Sequence, residues 1–147
     1  MRRMLVLAAL LMPWCAPRAT PLPDAPLFRQ LGSADGLPSN RVYRIAQDRA
    51  GYLWVATLDG LARYDGVGFA TWQHDPAAPT SLPSNTLQEL HIDARDRIWV
   101  GSEGGGLSLM DAEHRGFRHF APAHDTRFAL EDVWTITSET DGTLWFG

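Results

Sequence analysis

The stretch Gly51-Tyr52-Leu53-Trp54-Val55-Ala56-Thr57 occurs in related form three times in this chain. The second copy is Asp96-Arg97-Ile98-Trp99-Val100-Gly101-Ser102, and the third is Gly142-Thr143-Leu144-Trp145-Phe146-Gly147. The tryptophans are 45 and 46 residues apart, a period typical of a β-propeller with one four-stranded antiparallel blade per repeat. Each copy is a short apolar run without polar alternation, as expected of a strand covered on both faces. The sequence therefore predicts an all-β fold.

The segments around each copy predict the other strands of a blade. In the first repeat, Asp59-Gly60 and Asp65-Gly66 separate apolar runs, and Asp-Gly is a strong hairpin signal because glycine tolerates positive φ. No segment has a sustained helical period. The predicted strands are Val42–Gln47, the Trp54 run, Leu61–Tyr64 and Phe69–His74, then Leu87–Ile92, Ile98–Gly101, Leu107–Met110 and Phe117–Phe120, with a third repeat beginning at Val133–Ile136.

The repeat also divides the chain into segments. We predict a closing strand at 28–36, blade 1 at 37–81, blade 2 at 82–129 and the start of blade 3 at 130–147. A propeller needs about 4 to 8 blades to close, so we expect this chain to be the N-terminal piece of a longer protein. The aromatic segment Phe28–Leu31 resembles the last strand of each repeat. We hypothesise that it completes the final blade of the ring, which removes an exposed sheet edge.

The N-terminus predicts export. Met1-Arg2-Arg3 precedes an apolar run from Met4 to Met12, which is the pattern of a secretory signal peptide and too short to span a bilayer. We place the signal peptide at 1–19 and a proline-rich linker at 20–27. Two alternatives are lipoprotein processing at Cys15, which the bulky Trp14 disfavours, and an ordinary buried segment.

Charge and cysteine content exclude several classes of protein. The formal net charge is −4. Without the leader, 10 arginines face 17 acidic residues, a net charge of −7. This balance favours neither nucleic acid nor an anionic membrane as a partner. Cys15, the one cysteine, lies in the leader, so we expect no disulfide in the exported chain.

Two groups of residues are candidates for function or structure. The loops that lead into the inner strands should share one face of the propeller with the second turn of each blade, and polar or flat side chains there could contact a ligand: Asn40, Arg41, Asp59, Asn85, Glu103 and Trp134. Each could instead be a solvated loop residue, with Asn40 and Asn85 capping their own turns. The predicted structural positions of the repeat are Trp54, Trp99, Trp145, Gly51, Gly60, Gly101 and Gly142.

Signals for catalysis, metals and cofactors are weak. The histidines (His74, His91, His114, His119 and His124) have no zinc-ligand spacing. The paired acids Asp93/Asp96 and Glu131/Asp132 lie in predicted turns and are interpreted as surface charge. Gly104-Gly105-Gly106 joins two strands and precedes no helix, so it is not a phosphate loop. There is no nucleophile elbow. We therefore predict no catalytic residue, metal or cofactor.

The unit Leu37-Pro38-Ser39-Asn40 … Asp48-x-x-Gly51-x-Leu53-Trp54-Val55 … Gly60-Leu61 … Tyr64-Asp65 resembles the two-component regulator propeller repeat. Ala56 replaces a usual glycine in the first repeat, and Asp96 replaces the turn glycine in the second. The resemblance implies a seven-bladed propeller in a periplasmic sensor, with a transmembrane helix and a cytoplasmic output domain further along the parent protein. The output is a histidine kinase in many relatives, and a diguanylate cyclase or DNA-binding regulator in others.

The resemblance implies a function for the fragment and leaves two alternatives open. As a sensor segment it would bind a small molecule or an oligosaccharide, and its full-length parent would be anchored in the inner membrane, with a homodimer as one arrangement. The first alternative is a secreted propeller enzyme similar to the streptogramin lyases, which requires a histidine and an acid converging on one face. The second is a scaffold propeller without signalling.

Overall fold

The computed structural model describes residues 28–123 and 127–147. The predicted signal peptide and linker lie outside these residues. Two four-stranded antiparallel sheets follow one another along the chain, each with its strands in sequence order. Blade 1 consists of β1 Val42–Gln47, β2 Leu53–Thr57, β3 Gly60–Tyr64 and β4 Phe69–Trp72. Blade 2 consists of β5 Leu87–Ile92, β6 Ile98–Ser102, β7 Gly106–Met110 and β8 Phe117–Phe120.

A third, two-stranded sheet begins the next blade, with β9 Ile136–Ser138 paired to β10 Leu144–Phe146. A single 3₁₀ turn at Ser33–Asp35 is the one helical element of the described chain. The described residues include no helix with the length and hydropathy of a membrane-spanning segment. The fold class predicted from the repeat, an all-β incomplete propeller, is confirmed.

Two predicted strands differ from the structure by more than one residue at an end. The strand expected at Phe69–His74 ends at Trp72, because the backbone of His74 bonds to the side chain of Asn85. The strand expected from Val133 begins at Ile136. Residues 28–32 form no strand here. The hypothesis that this segment completes a final blade needs a pairing strand that this chain does not supply, and it remains a prediction.

The blades pack face to face through apolar side chains. We call the face of a blade that meets the preceding blade its front face, and the face that meets the following blade its rear face. Between blades 1 and 2, rear residues Trp54 and Leu61 join front residues of blade 2 in one buried cluster. Between blades 2 and 3, rear residues Trp99 and Leu107 join Val133 and Ile136. The front face of blade 2 supplies Leu90, Ile98, Val100, Met110 and Phe117 to the first cluster.

An acid–tryptophan hydrogen bond recurs in all three repeats. The indole Nε1 of each tryptophan donates to the carboxylate six residues earlier. The donor–acceptor distances are 2.8 Å from Trp54 to Asp48 and 3.0 Å from Trp99 to Asp93. The third bond is 2.8 Å, from Trp145 to Glu139. In blades 1 and 2 this bond ties the first turn to the tryptophan that packs against the next blade.

The backbone of this first turn is also the same each time. It needs a left-handed residue three positions after the acid, with φ values of 92° at Gly51, 62° at Asp96 and 96° at Gly142. Asp96 adopts the left-handed conformation although it is not glycine. Among non-glycine residues, aspartate and asparagine tolerate this conformation best. The substitution noted in the sequence therefore leaves the turn intact.

The prediction that the Asp93/Asp96 pair is surface charge is wrong for Asp93, because the Asp93 side chain is buried. Burial alone would raise the pKa of the Asp93 carboxyl. Hydrogen bonds from the Trp99 indole, the Arg97 and Arg95 amides and the Arg97 guanidinium outweigh that effect and lower the pKa to about 2. Its Oδ2 lies 2.6 Å from Arg97 Nε. Asp93 is thus a charged structural centre of blade 2.

Trp145 is placed differently from the other two tryptophans. Trp54 and Trp99 are buried, whereas Trp145 is 59% exposed. Its neighbours Leu144 and Phe146 pack against blade 2, so Trp145 points to the rear of blade 3, which no described strand covers. Trp145 occupies the same repeat position as Trp54 and Trp99, whose side chains are buried by the blade that follows each of them.

Replacing Trp99 with alanine should lower the free energy of unfolding by about 3–5 kcal/mol, because a large ring is removed from a closed interface. Thermal denaturation followed by circular dichroism measures this. Trp145→Ala is the matched control and should change stability by no more than about 1 kcal/mol. Equal effects at the two positions would contradict the assignment.

Asp93 should make the fold sensitive to acid. The pKa of Asp93 in the folded protein lies below its usual value. Ionised Asp93 therefore stabilises the fold fully above about pH 4, and this stabilisation is lost as the pH falls toward 2. The shift of the pKa from 3.8 to about 2 corresponds to roughly 2 kcal/mol of folding free energy. We expect Asp93→Asn to be less stable at pH 7 and to lose less stability between pH 4 and pH 2. Urea titrations at several pH values test this, and parallel pH profiles of the two proteins would refute it.

Candidate ligand-binding face

One edge of the stacked blades collects the predicted site residues. We call it the upper face: it comprises the loops 37–41, 82–86 and 130–132, which lead into the first strands, and the second turns 58–60 and 103–106. Within blade 1, the amide of Leu58 donates to the carbonyl of Arg41 at 3.0 Å. In blade 2, Glu103 makes the same bond to Thr86 at 3.0 Å. Loop and second turn therefore lie side by side in both blades.

Backbone hydrogen bonds also join the upper face from one blade to the next. The amide of Gly60 donates to the carbonyl of Asn85 at 2.8 Å, and Gly106 repeats this bond to Glu131 at 2.7 Å. Gly60 has a φ of 110°, and a Cβ there would lie 2.5 Å from the Trp72 carbonyl oxygen. The turn therefore requires glycine. These bonds hold the loops of successive blades in a fixed relation.

Three of the predicted ligand-binding side chains, those of Asn40, Asp59 and Asn85, form hydrogen bonds within the protein. Asn85 Nδ2 donates to Asp59 Oδ1 at 3.0 Å, and Asn85 Oδ1 accepts from the His74 amide at 2.6 Å. Asn40 Oδ1 accepts from the amide of Ser33 at 2.8 Å. Both asparagines therefore bond to other segments of the loops, and the structure brings Asp59 and Asn85 together across two blades.

The other three predicted ligand-binding residues have exposed side chains. The side chains of Arg41 and Glu103 are exposed on the upper face, and Trp134 is 58% exposed. Glu103 Oε2 accepts a hydrogen bond of 3.4 Å from Gln88 Nε2. Arg41, Glu103 and Trp134 are thus the predicted residues with side chains available to a ligand.

A β-bulge that was not predicted from the sequence lies near the start of the first strand of each described blade. In β1 the register shifts between Val42 and Arg44, and in β5 it shifts between Leu87 and Glu89. Before β9, the amides of Trp134 and Thr135 both donate to the carbonyl of Gly147, at 2.7 and 3.0 Å. Tyr43, Gln88 and Trp134 therefore occupy equivalent bulge positions. A bulge turns one side chain out of the regular alternation, and bulges are enriched beside functional sites.

A spacing in the sequence could have revealed the bulges. The buried positions of a regular strand are two residues apart, yet here the apolar pairs are three apart: Val42 and Ile45, Leu87 and Leu90, Val133 and Ile136. One extra residue in each strand accounts for this spacing. The bulge residues themselves differ in chemistry from one repeat to the next.

Next to the bulges, an ion pair joins the first strands of blades 1 and 2. Arg44 Nε lies 2.8 Å from Glu89 Oε1, and the Glu89 side chain is buried while Arg44 is half exposed. The first strands of successive blades lie against each other, as the inner strands of a propeller do around its axis. The bulge residues consequently lie at the upper end of this central set of strands.

No group of three or more histidine, cysteine, aspartate or glutamate side chains in the described residues is arranged to hold a metal ion. The described histidines have partners at separate places. His74 contacts the Leu82 carbonyl oxygen, His91 contacts Ser138, and His114 contacts Arg63. His119 contacts Ser108, and His124 lies outside the described residues.

Comparison with known proteins identifies the repeat. The family model of the two-component regulator propeller matches residues 36–59, which run from the loop of blade 1 through β2 to its second turn. These residues are similar to the two-component regulator propeller repeat. The repeat in blade 2, with the same strands, turns and hydrogen bonds, extends the resemblance beyond the matched residues.

Solved structures agree with this assignment. The extracellular domain of a hybrid two-component system from B. thetaiotaomicron is 30% identical with a TM-score of 0.70, over 80% of this chain and 17% of that one. The extracellular domain of a one-component system from the same organism is 21% identical with a TM-score of 0.58, over 73% of this chain and 15% of that one. The second similarity supports the fold alone.

A curated relative connects the repeat to a kinase. Histidine kinase P4 of Formosa agariphila is 39% identical over 56 residues, which are 38% of this chain. The chain spans only 4% of the length of that kinase. It is thus similar to a small part of much longer signalling proteins.

The upper-face turn should not tolerate a side chain at Gly60. We expect Gly60→Ala to lower the free energy of unfolding by about 1–3 kcal/mol, because φ is positive and the new methyl group meets the Trp72 carbonyl. Gly68→Ala is the control, since nothing lies within 4 Å of a Cβ there. Chemical denaturation measures both, and a Gly60 variant as stable as the Gly68 variant would show that the turn is less constrained than described.

Proposed function

We propose that this chain is a segment of an extracytoplasmic ligand-sensing propeller in a bacterial transmembrane signalling protein, and that the segment itself is not catalytic. The observation that carries the proposal is the row of bulges at Tyr43, Gln88 and Trp134. At these positions Tyr43 is partly buried, Gln88 is buried and Trp134 is 58% exposed. A flat exposed aromatic side chain is well suited to bind a ligand.

The groups on the upper face favour an uncharged, hydroxyl-rich ligand such as a neutral oligosaccharide. Trp134 offers a ring for stacking, and the exposed Glu103 carboxylate, which the buried Gln88 amide contacts, offers hydrogen-bond acceptors. Acidic side chains outnumber basic ones on this face, with Asp59, Glu103, Glu131 and Asp132 against Arg41. Like charges repel, so a neutral sugar fits better than one bearing carboxylates or sulfates.

The proposed signalling role follows the relatives. The similar structures are extracellular domains of two-component and one-component systems, and a curated relative is a histidine kinase. We propose that the chain is exported to the periplasm by its signal peptide and that the parent is anchored in the inner membrane. The parent would transmit ligand binding to a histidine kinase or diguanylate cyclase output, with a homodimer as its signalling form.

The two alternatives receive less support. A lyase-type enzyme needs a histidine and an acid together, whereas the described histidines contact a carbonyl oxygen, two serines and an arginine at separate places. A scaffold propeller would have no need of an exposed tryptophan at a bulge. Sensing therefore accounts for more of the observed features.

Binding to a panel of neutral and uronic-acid oligosaccharides tests this proposal. Tryptophan fluorescence or calorimetry should detect a neutral member, and Trp134→Ala should weaken its affinity at least tenfold, or about 1.4 kcal/mol, because the stacking surface is lost. Trp145→Ala is the matched control, since that ring is exposed away from the upper face. Equal affinity of Trp134→Ala, or a preference for the uronic-acid sugars, would overturn the proposal.

A further inference from the structure

A charged pair joins the first strands of blades 1 and 2 next to their bulges. Glu89 is 6% exposed and directly follows Gln88, the bulge position of blade 2. Its Oε1 accepts a hydrogen bond of 2.8 Å from Nε of Arg44, which directly follows Tyr43, the bulge position of blade 1. The pair therefore links the two strands at the level where each leaves its regular register.

Each partner of the pair also bonds to the backbone beside its own bulge. Arg44 Nη1 donates to the carbonyl oxygen of Tyr43 at 3.2 Å. Glu89 Oε1 accepts a second hydrogen bond, from the amide of Leu90 at 3.0 Å. A bulge interrupts the ladder of backbone hydrogen bonds, so side chains that bond to the backbone there restrict its movement. The ion pair consequently holds the two bulges at one separation.

The bulge of blade 2 is connected in turn to a proposed ligand contact. The buried Gln88 side chain donates from Nε2 to Oε2 of Glu103 at 3.4 Å. The amide of Glu103 donates to the carbonyl oxygen of Thr86 at 3.0 Å. Both the backbone and the carboxylate of Glu103, which is exposed on the upper face, are therefore held by residues at the start of β5 and in the loop before it.

Stability alone does not account for a charged pair at this junction. Removing a carboxylate from water costs about as much free energy as its partner returns, and apolar residues of similar size often replace a buried pair without loss. The equivalent position in the third repeat is Thr135, which carries no charge. The repeat therefore does not require a charge there, and the distinguishing feature of this pair is its contact with both bulges.

We infer that Arg44 and Glu89 are positioning residues of the upper-face site. Without contacting the ligand, they fix the separation of two bulges and, through the adjacent Gln88, the place of the Glu103 carboxylate. The inference rests on the proposed function, because it gives the pair a role in ligand affinity. Its consequence for the bulges themselves is measurable without any ligand.

Hydrogen exchange of the full chain without ligand is the first test. Arg44→Met combined with Glu89→Leu replaces the pair by apolar side chains of similar size and leaves no charge buried. We expect peptides that cover the two bulges, 42–45 and 87–90, to exchange about tenfold faster in this double variant. Peptides from β7 should exchange as slowly as in the wild type, which shows that the variant is folded. Unchanged exchange at the bulges would overturn the inference.

Binding of the neutral oligosaccharide panel then separates positioning from stability. The double variant should bind the sugar about tenfold more weakly at an unchanged melting temperature. Arg44→Lys keeps the charge and the donors and should retain wild-type affinity. Arg115→Met is the matched control, because Arg115 is an exposed arginine in the turn between β7 and β8, at the opposite end of the blade from the upper face.

The two measurements distinguish failure of the inference from failure of the proposed function. Faster exchange at the bulges with unchanged affinity for the sugar would overturn the inference. If no sugar of the panel binds the wild type, the proposed ligand class is wrong, while faster exchange in the double variant still supports the positioning role of the pair.

Discussion

The tryptophan that lies between blades is the residue on which the rest of this structure depends. Its ring fills the interface with the next blade, and its indole nitrogen bonds to the acid six residues earlier in the first turn. One side chain thus joins the local geometry of a turn to the long-range packing of two sheets. Because the buried carboxylate is itself satisfied by amides and an arginine in blade 2, the polar and the apolar parts of the interface support each other.

This arrangement separates the residues that build the fold from those free to vary. The residue before each bulge position and the second residue after it are apolar in all three repeats, on the side of the strand that faces a neighbouring blade. The bulge position holds tyrosine, glutamine and tryptophan in turn, and a bulge breaks the regular alternation of side chains along a strand. Under the proposed function, ligand specificity could therefore change at the upper ends of the inner strands without disturbing the cores between blades. The hydrogen bonds from Gly60 and Gly106 to the next loop keep that surface rigid.

Much of the fold was predictable from sequence, because the signals that define it are local. The period of Trp54, Trp99 and Trp145 gave the architecture, and Asp-Gly pairs gave turns close to their observed places. The features that were missed depend on segments far apart in the chain or on a register shift. Asp93 looked like a turn acid, and only the packed structure shows its carboxylate beneath the Trp99 ring nitrogen. The bulges were encoded in a spacing of three between apolar residues. The exposure of Trp145 follows from what lies against it, which a local pattern does not contain.

The stability of such a chain should be distributed unevenly along it. In a repeat protein each unit is stabilised by its own contacts and by those with its nearest neighbours. Blade 2 has a neighbour on both faces, whereas blade 1 has one on its rear face only. A further blade packed against the front face of blade 1 would therefore add stability there. A ligand held by the bulge residues of adjacent blades would strengthen the contacts between those blades, including the one that contains the Arg44–Glu89 pair. Under the proposed function, that coupling would give binding at the upper face a physical route to the rest of the propeller.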